Sequence, residues 1–152
     1  MNIELVRASL EDAEVIWKMQ RIAFAELLER YQDFDTNPGN EPLEKVQWRF
    51  SFPATYFYFI QVDGVNAGAI RIIDHHDDSP KKISPLFVLP QFRGRGIGTD
   101  VVRFCQQQSP SLMLYVFRKN TRAIALYRKL GFIVTKDVSP TRAIMEWKNQ
   151  DR

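Results

Sequence analysis

The stretch Val88-Leu89-Pro90-Gln91-Phe92-Arg93-Gly94-Arg95-Gly96-Ile97-Gly98 decides how the rest of the chain is read. The 152 residues contain seven glycines, and three of them stand here at alternate positions within five residues. An apolar run over 85–89 leads in and an amphipathic helical pattern over 97–107 leads out. The stretch therefore reads as a strand, a glycine loop and a helix N-terminus. Closely spaced glycines let a backbone approach a ligand and adopt unusual φ values. The first helical turn offers N–H groups without partners, and the helix dipole favours an anion there. Arg93 and Arg95 add two cations suited to phosphate. This combination suits a phosphate or pyrophosphate site, although a sharp surface turn in a basic protein would use the same residues. A dinucleotide loop of the Gly-x-Gly-x-x-Gly type would need glycine at 99, where Thr99 stands.

Working outward, alternation over 3–7 predicts a short strand, and Ser9 three residues before Asp12 predicts a helix start by an imperfect capping box. Helix 1 is expected over about 10–29. Residues 31–42 are rich in turn formers and acids, and a short helix over about 42–50 follows. Residues 54–62 (Ala-Thr-Tyr-Phe-Tyr-Phe-Ile-Gln-Val) form an aromatic strand, Asp63-Gly64 a hairpin turn, and 65–73 the next strand. The run Asp74-His75-His76-Asp77-Asp78 reads as a polar turn. Adjacent histidines on extended backbone point to opposite faces, so no metal site is expected. After a strand over 81–89, the helix carries Ile97, Val101, Phe104, Cys105 and Gln108 on one face, expected to pack on a sheet. Ser109-Pro110 stops it. A strand over 112–117, a helix over 121–130 with Asn120 as N-cap and Gly131 closing it, and two strands over 132–135 and 141–147 complete the chain.

The order β-α-α-β-β-β-α-β-α-β-β, without repeat or linker, predicts one α/β domain over 1–152 with a mixed α+β sheet. The strand-helix-strand unit over 83–117 implies parallel pairing. At 45% hydrophobic and 12% aromatic residues, the composition is that of a globular protein. A net charge of +3 is too mild to imply nucleic acid by itself. The lone Cys105 rules out an internal disulfide and fits a reducing compartment. Neither a membrane span nor a signal-peptide pattern stands out, so a cytoplasmic protein is expected.

Asn120, Ala123 and Tyr127 fall at i, i+3 and i+7, on one face of their helix. Ligands of open α/β sheets sit beyond the carboxyl ends of strands, where both this helix and the glycine loop begin. Here the sequence resembles the GNAT superfamily of N-acetyltransferases. Arg93, Gly96 and Gly98 match its Arg/Gln-x-x-Gly-x-Gly/Ala motif. Asn-Thr-Arg-Ala-Ile-Ala-Leu-Tyr-Arg-Lys-Leu-Gly-Phe, residues 120–132, is similar to its Asn-x-x-Ala-x-x-x-Tyr-x-x-x-Gly-Phe pattern. The element order matches that fold, with its splayed central sheet, over nearly the whole chain.

The resemblance implies acetyl-coenzyme A as cosubstrate. Backbone N–H groups of Gly94, Arg95, Gly96, Ile97 and Gly98, with Thr99 beside them, would hold its pyrophosphate. The pantetheine arm would lie along Leu86, Phe87 and Val88 in a splay of the sheet. Asn120 would bond the arm past the small Ala123, and Tyr127 would stand near the sulfur. A neutral amine would attack the thioester, the Val88 N–H would bind the oxyanion, and Tyr127 would protonate the leaving thiolate. Many members place a Glu on the strand before the loop to deprotonate the amine. Here that position is about Lys82, followed by Ser84 and Pro85; the base is left among Glu41, Asp74 and His75, directly or through water, with the small neutral fraction of the amine as the alternative that needs no base.

Turnover is the leading expectation. A non-catalytic acyl-coenzyme A sensor or interaction module is the alternative. The cations Arg93, Arg95, Arg103, Arg118, Lys119, Arg122, Arg128 and Lys129 read as solvated faces or coenzyme contacts before they read as a nucleic-acid surface. No membrane partner is expected. Asp33, Asp35, Glu41, Trp48, Tyr56 and Tyr58 suggest a small cationic amine as acceptor, with a peptide amine still open. An exposed final strand offers a route to a homodimer.

Overall fold

Alternating apolar residues leave each strand with two usable faces, and the helices divide between them. The computed structural model describes residues 1–31 and 38–150. In chain order the elements are β1 (Ile3–Arg7), α1 (Ala13–Tyr31), α2 (Leu43–Phe50), β2 (Thr55–Val62), β3 (Val65–Ile73), β4 (Lys81–Val88), α3 (Ile97–Gln108), β5 (Ser111–Phe117), α4 (Thr121–Lys129), β6 (Ile133–Asp137) and β7 (Arg142–Lys148). This is the expected order, with boundaries moved by a residue or two. The first helix begins as a 3-10 turn, Leu10–Asp12, where Asp12 Oδ2 accepts the Ser9 N–H at 2.9 Å.

The seven strands form one sheet in the order β1-β2-β3-β4-β5-β7-β6. Every neighbouring pair is antiparallel except β4 and β5, which α3 connects and which run parallel. On one face, Val101, Val102 and Cys105 of α3 pack with Ile70, Leu112, Leu114, Phe132 and Met145. On the other, Ile16, Met19 and Ala23 of α1 and Val46 of α2 pack with Phe57, Phe59 and Phe87. Each large apolar side chain so buried contributes about 1.5–3 kcal/mol.

Two expectations are corrected. Phe104 and Gln108 do not face the core: both are exposed, and Val102 turns inward with Ile97, Val101 and Cys105. The final strand is not exposed either. The β6–β7 turn folds β7 back beside β5, so β6 forms the sheet edge, and Ile133 on it is 63% exposed. No helix among the described residues is long and apolar enough to cross a membrane.

Candidate active site

The two parallel strands pair only at their beginnings. Lys81, Lys82 and Ile83 of β4 align with Leu112, Met113 and Leu114 of β5, and beyond that the strands part. Pro85 follows directly and has no N–H for a ladder. On its other edge β4 remains paired with β3, through a register shift between Ile70 and Ile72. Arg71 lies within that shift. It is 7% exposed, and its Nε donates to the Ser84 carbonyl at the root of the fork. Burial, then the neighbouring Arg49, push the Arg71 guanidinium down to about 10, still cationic at neutral pH. At Gly68, a Cβ would stand 2.1 Å from the Phe87 carbonyl oxygen, so only glycine lets β3 lie this close to β4.

The fork opens a cleft of about 410 Å³. Its walls are β4 from Ile83 to Val88, β5 from Leu114 to Phe117, α1 through Ala23, Phe24 and Leu27, and α4 through Ala123 and Tyr127. The Leu89 N–H donates to Ala67 O at 2.8 Å. Successive N–H groups of an antiparallel strand alternate in direction, so the Val88 N–H points away from β3 and into the fork. Leu86, Phe87 and Val88 thus line the cleft.

At the carboxyl end of β4 the chain makes a 3-10 turn, Pro90–Phe92, and enters the glycine loop. Gly94 (φ +78°) and Gly96 (φ +79°) are left-handed, and Gly96 is the N-cap of α3 without any side-chain cap. A Cβ on Gly94, Gly96 or Gly98 would meet nothing within 4 Å. The loop thus presents the N–H groups of Ile97, Gly98 and Thr99 beside open space, which fits a pyrophosphate. The two arginines differ. Arg93 is engaged within the protein, with Nη2 donating to Ala23 O at 2.5 Å, Nε to Val88 O at 3.2 Å, and Nη1 3.7 Å from Glu26. It ties α1 to the end of β4, a role its sequence position did not reveal. Arg95 lies over Phe92, 5.4 Å from the ring centroid, with Nη2 donating to Gln91 O at 3.3 Å.

Across the cleft, Asn120 caps α4, its Oδ1 accepting the Ala123 N–H at 3.3 Å, and its amide nitrogen is left as a donor toward the cleft it lines. Tyr127 stands edge-on to Phe132 at 5.7 Å. Its hydroxyl has no hydrogen-bond partner among the described residues, and burial pushes the phenol up to about 12. Asn120, Ala123, Tyr127 and Gly98 line one cleft, so the two sequence motifs meet.

Other expected residues do not come together there. Glu41 faces inward between α1 and α2, ion-paired to Arg49 and Lys45 and hydrogen-bonded by Gln20 Nε2 at 2.8 Å. Burial raises its carboxyl, but Arg49, Lys45 and Gln20 outweigh that and hold it below the usual range, which makes it a poor base. Asp74 lies in a separate groove between β2 and α3, 3.5 Å from both Lys81 and His76, and His75 is on the exposed turn beside it. Tyr56 and Tyr58 line that same groove, and Trp48 stacks edge-on against Phe52 at 4.5 Å, so none of these three aromatics lines the fork. Asp33 and Asp35 lie outside the described residues. Lys82 does sit near the fork: its Nζ is 4.4 Å from the centroid of Tyr115, which lines the cleft. Sequence reasoning missed Gly68, Arg71, Tyr115 and Arg142. The only advance signals were a glycine and a charged residue inside an apolar strand pattern.

The family model "Acetyltransferase (GNAT) family" matches residues 21–132, and the chain belongs to that family. It is an acetyl-coenzyme A-dependent N-acetyltransferase. A peptidyl-lysine N-acetyltransferase of Salmonella typhimurium, YjaB, is 28% identical over 138 residues, covering 89% of this chain and 86% of the relative. Among solved structures, an acetyltransferase from Thermus thermophilus superposes with a TM-score of 0.76 at 17% identity, covering 97% of each chain. PaiA N-acetyltransferase from Thermoplasma acidophilum, in complex with coenzyme A, gives 0.69 at 22% identity, covering 97% of this chain and 99% of that one.

Proposed function

We propose that residues 1–152 form one acetyltransferase domain whose reaction centre is the β4–β5 fork. The acceptor is a primary amine, on a small molecule or on a peptide as in the relative named for peptidyl lysine. Acetyl-coenzyme A supplies the activated acyl carbon and a thiolate leaving group. The loop Gly94–Thr99 holds its pyrophosphate and Asn120 its arm. The Val88 N–H stabilises the negative charge that develops on the acyl oxygen as the amine nitrogen bonds to carbon. As the carbon–sulfur bond breaks, the Tyr127 hydroxyl gives its proton to the sulfur and regains one from solvent, while the amine nitrogen sheds its own to water.

The observation that carries this reading is the pairing of two unpartnered donors, the Val88 N–H and the Tyr127 hydroxyl, on one cleft. The amine enters as the neutral fraction present at the pH of the assay. Among the described residues the one cleft-lining carboxylate, Glu26, is tied to Arg30 and Arg93.

The test is an assay of coenzyme A release against a panel of primary amines. Tyr127→Phe is expected to lower kcat by roughly 10²-fold while leaving the dissociation constant for acetyl-coenzyme A within about twofold. An unchanged kcat removes Tyr127 from the role of proton donor. Tight binding without turnover on any amine would support a sensor in place of an enzyme.

A further inference from the structure

Charge around the fork is one-sided. Among the described residues lining the cleft, Arg30, Arg93, Arg122 and Arg142 are cations, and Glu26 is the lone acid. Arg30 holds Glu26 at 2.8 Å, and Arg93 at 3.7 Å. Arg122, Arg142 and Lys82 have no carboxylate partner among the described residues, and of these Arg142 and Lys82 share one aromatic ring. Both instead rest on the ring of Tyr115, with Arg142 Cζ 4.7 Å and Lys82 Nζ 4.4 Å from its centroid. Lys82 comes from β4 and Arg142 from β7, with β5 between them.

Their position separates them from the coenzyme's phosphates. Tyr115 is the first residue of β5 beyond its last pairing with β4, Ile83↔Leu114. Its neighbours Leu114 and Val116 pack into the core under α3, so Tyr115 faces the α1 side of the sheet. The glycine loop lies past the far end of β4. Tyr115 is level with Ser84, so along β4 Val88 is about 20 Å from Lys82 and about 13 Å from the ring that carries the Arg142 guanidinium, at ~3.3 Å per residue. The cations on Tyr115 are therefore left for the other substrate.

A polyamine or a lysine flanked by basic residues would bring further positive charge against this pair, a like-charge contact that disfavours binding. A carboxylate would meet a planar guanidinium suited to two parallel hydrogen bonds, with the Lys82 ammonium beside it. We infer that the acceptor amine carries a nearby carboxylate, which Arg142 and Lys82 hold beside Tyr115. The carboxylate comes from a free amino acid or from an acidic residue next to the amine in a peptide. This inference rests on the acetyltransferase assignment and on the fork as its reaction centre.

The experiment measures coenzyme A release by the full chain with matched acceptors. Free amino acids are compared with their carboxamides, a lysine peptide with glutamate flanks is compared with the same peptide carrying glutamine flanks, and spermidine serves as a polycation. The carboxylate member of at least one pair is expected to show kcat/KM at least tenfold above its amide, and the pair that does so identifies the source. Arg142→Glu and Lys82→Glu are each expected to raise KM for that acceptor about tenfold or more, with kcat and the acetyl-coenzyme A dissociation constant little changed. Arg142→Lys should recover part of the loss, which mere damage to β7 would not allow. Equal use of carboxylates and amides, or a preference for spermidine, overturns the inference while leaving the acetyltransferase reading intact. Failure of the wild-type chain to bind acetyl-coenzyme A in calorimetry overturns both.

Discussion

Gly96 combines two demands in one residue. Its φ of +79° is left-handed, where any side chain is strained, and its position caps α3 where the coenzyme's pyrophosphate is proposed to sit. A Cβ there meets nothing within 4 Å, so a substitution acts on the site more than on the packing. Gly96→Glu places a carboxylate against the same N–H groups an anion needs. The dissociation constant for acetyl-coenzyme A, measured by calorimetry, is expected to rise more than tenfold, while the far-ultraviolet circular dichroism spectrum keeps its shape. Normal binding by this variant would remove the pyrophosphate from the loop. The loop was legible in the sequence because glycine spacing and a helix start are local properties. The engagement of Arg93 was not, because Ala23 and Glu26 reach it from a distant helix.

At the scale of the element, β4 is where a strand becomes a site. Its first three residues pair with β5, its last three face open space, and Arg71 holds the Ser84 carbonyl where the strands part. Pro85 hinted at the irregularity, but its position relative to β5 depends on which residues of β3 it pairs with. Gly68 sets that pairing by allowing the Phe87 carbonyl within 2.1 Å of where a Cβ would be. Gly68→Ala must push β3 and β4 apart at backbone atoms that have little room to move. It is expected to cost about 2 kcal/mol, seen as a fall in Tm of roughly 5 °C. Because Phe87 and Val88 move with it, kcat should fall too. A variant with wild-type Tm and rate would mean that the two strands are not held as closely as described. The helix faces show the same limit of local reading. A 100° periodicity placed Phe104 inward, but α3 lies along β4 and β5 so that Val102 fills the core instead.

Over the whole molecule, the sheet is wrapped on both faces, and burial favours the neutral form of two ionisable groups, the core thiol of Cys105 and the half-buried cleft phenol of Tyr127. Cys105 is 5% exposed beneath α3, and burial pushes its thiol from 9 up to about 11. Tyr127 is raised to about 12 by the same cause. Below pH 9 both groups are protonated in the folded and unfolded chains alike, and their contribution to stability is fully present. As pH rises from 9 toward 11, the unfolded chain releases the Cys105 proton and the folded chain retains it. The unfolded state then binds fewer protons, and stability falls with pH. Tyr127 adds a fall of the same sign from 10 toward 12. Arg71, lowered to about 10, acts in the opposite direction above that pH, since the folded chain would lose its proton first. The Cys105 share is therefore isolated by comparison with Cys105→Ala. Between pH 9 and pH 11 wild-type stability is expected to fall by about 2 kcal/mol more than that of the variant, since a tenfold difference in proton affinity is worth ~1.4 kcal/mol. Urea unfolding at pH 8, 9.5 and 11 measures it. Parallel curves for the two proteins would show that the thiol is not buried in the core that joins α3 to the sheet.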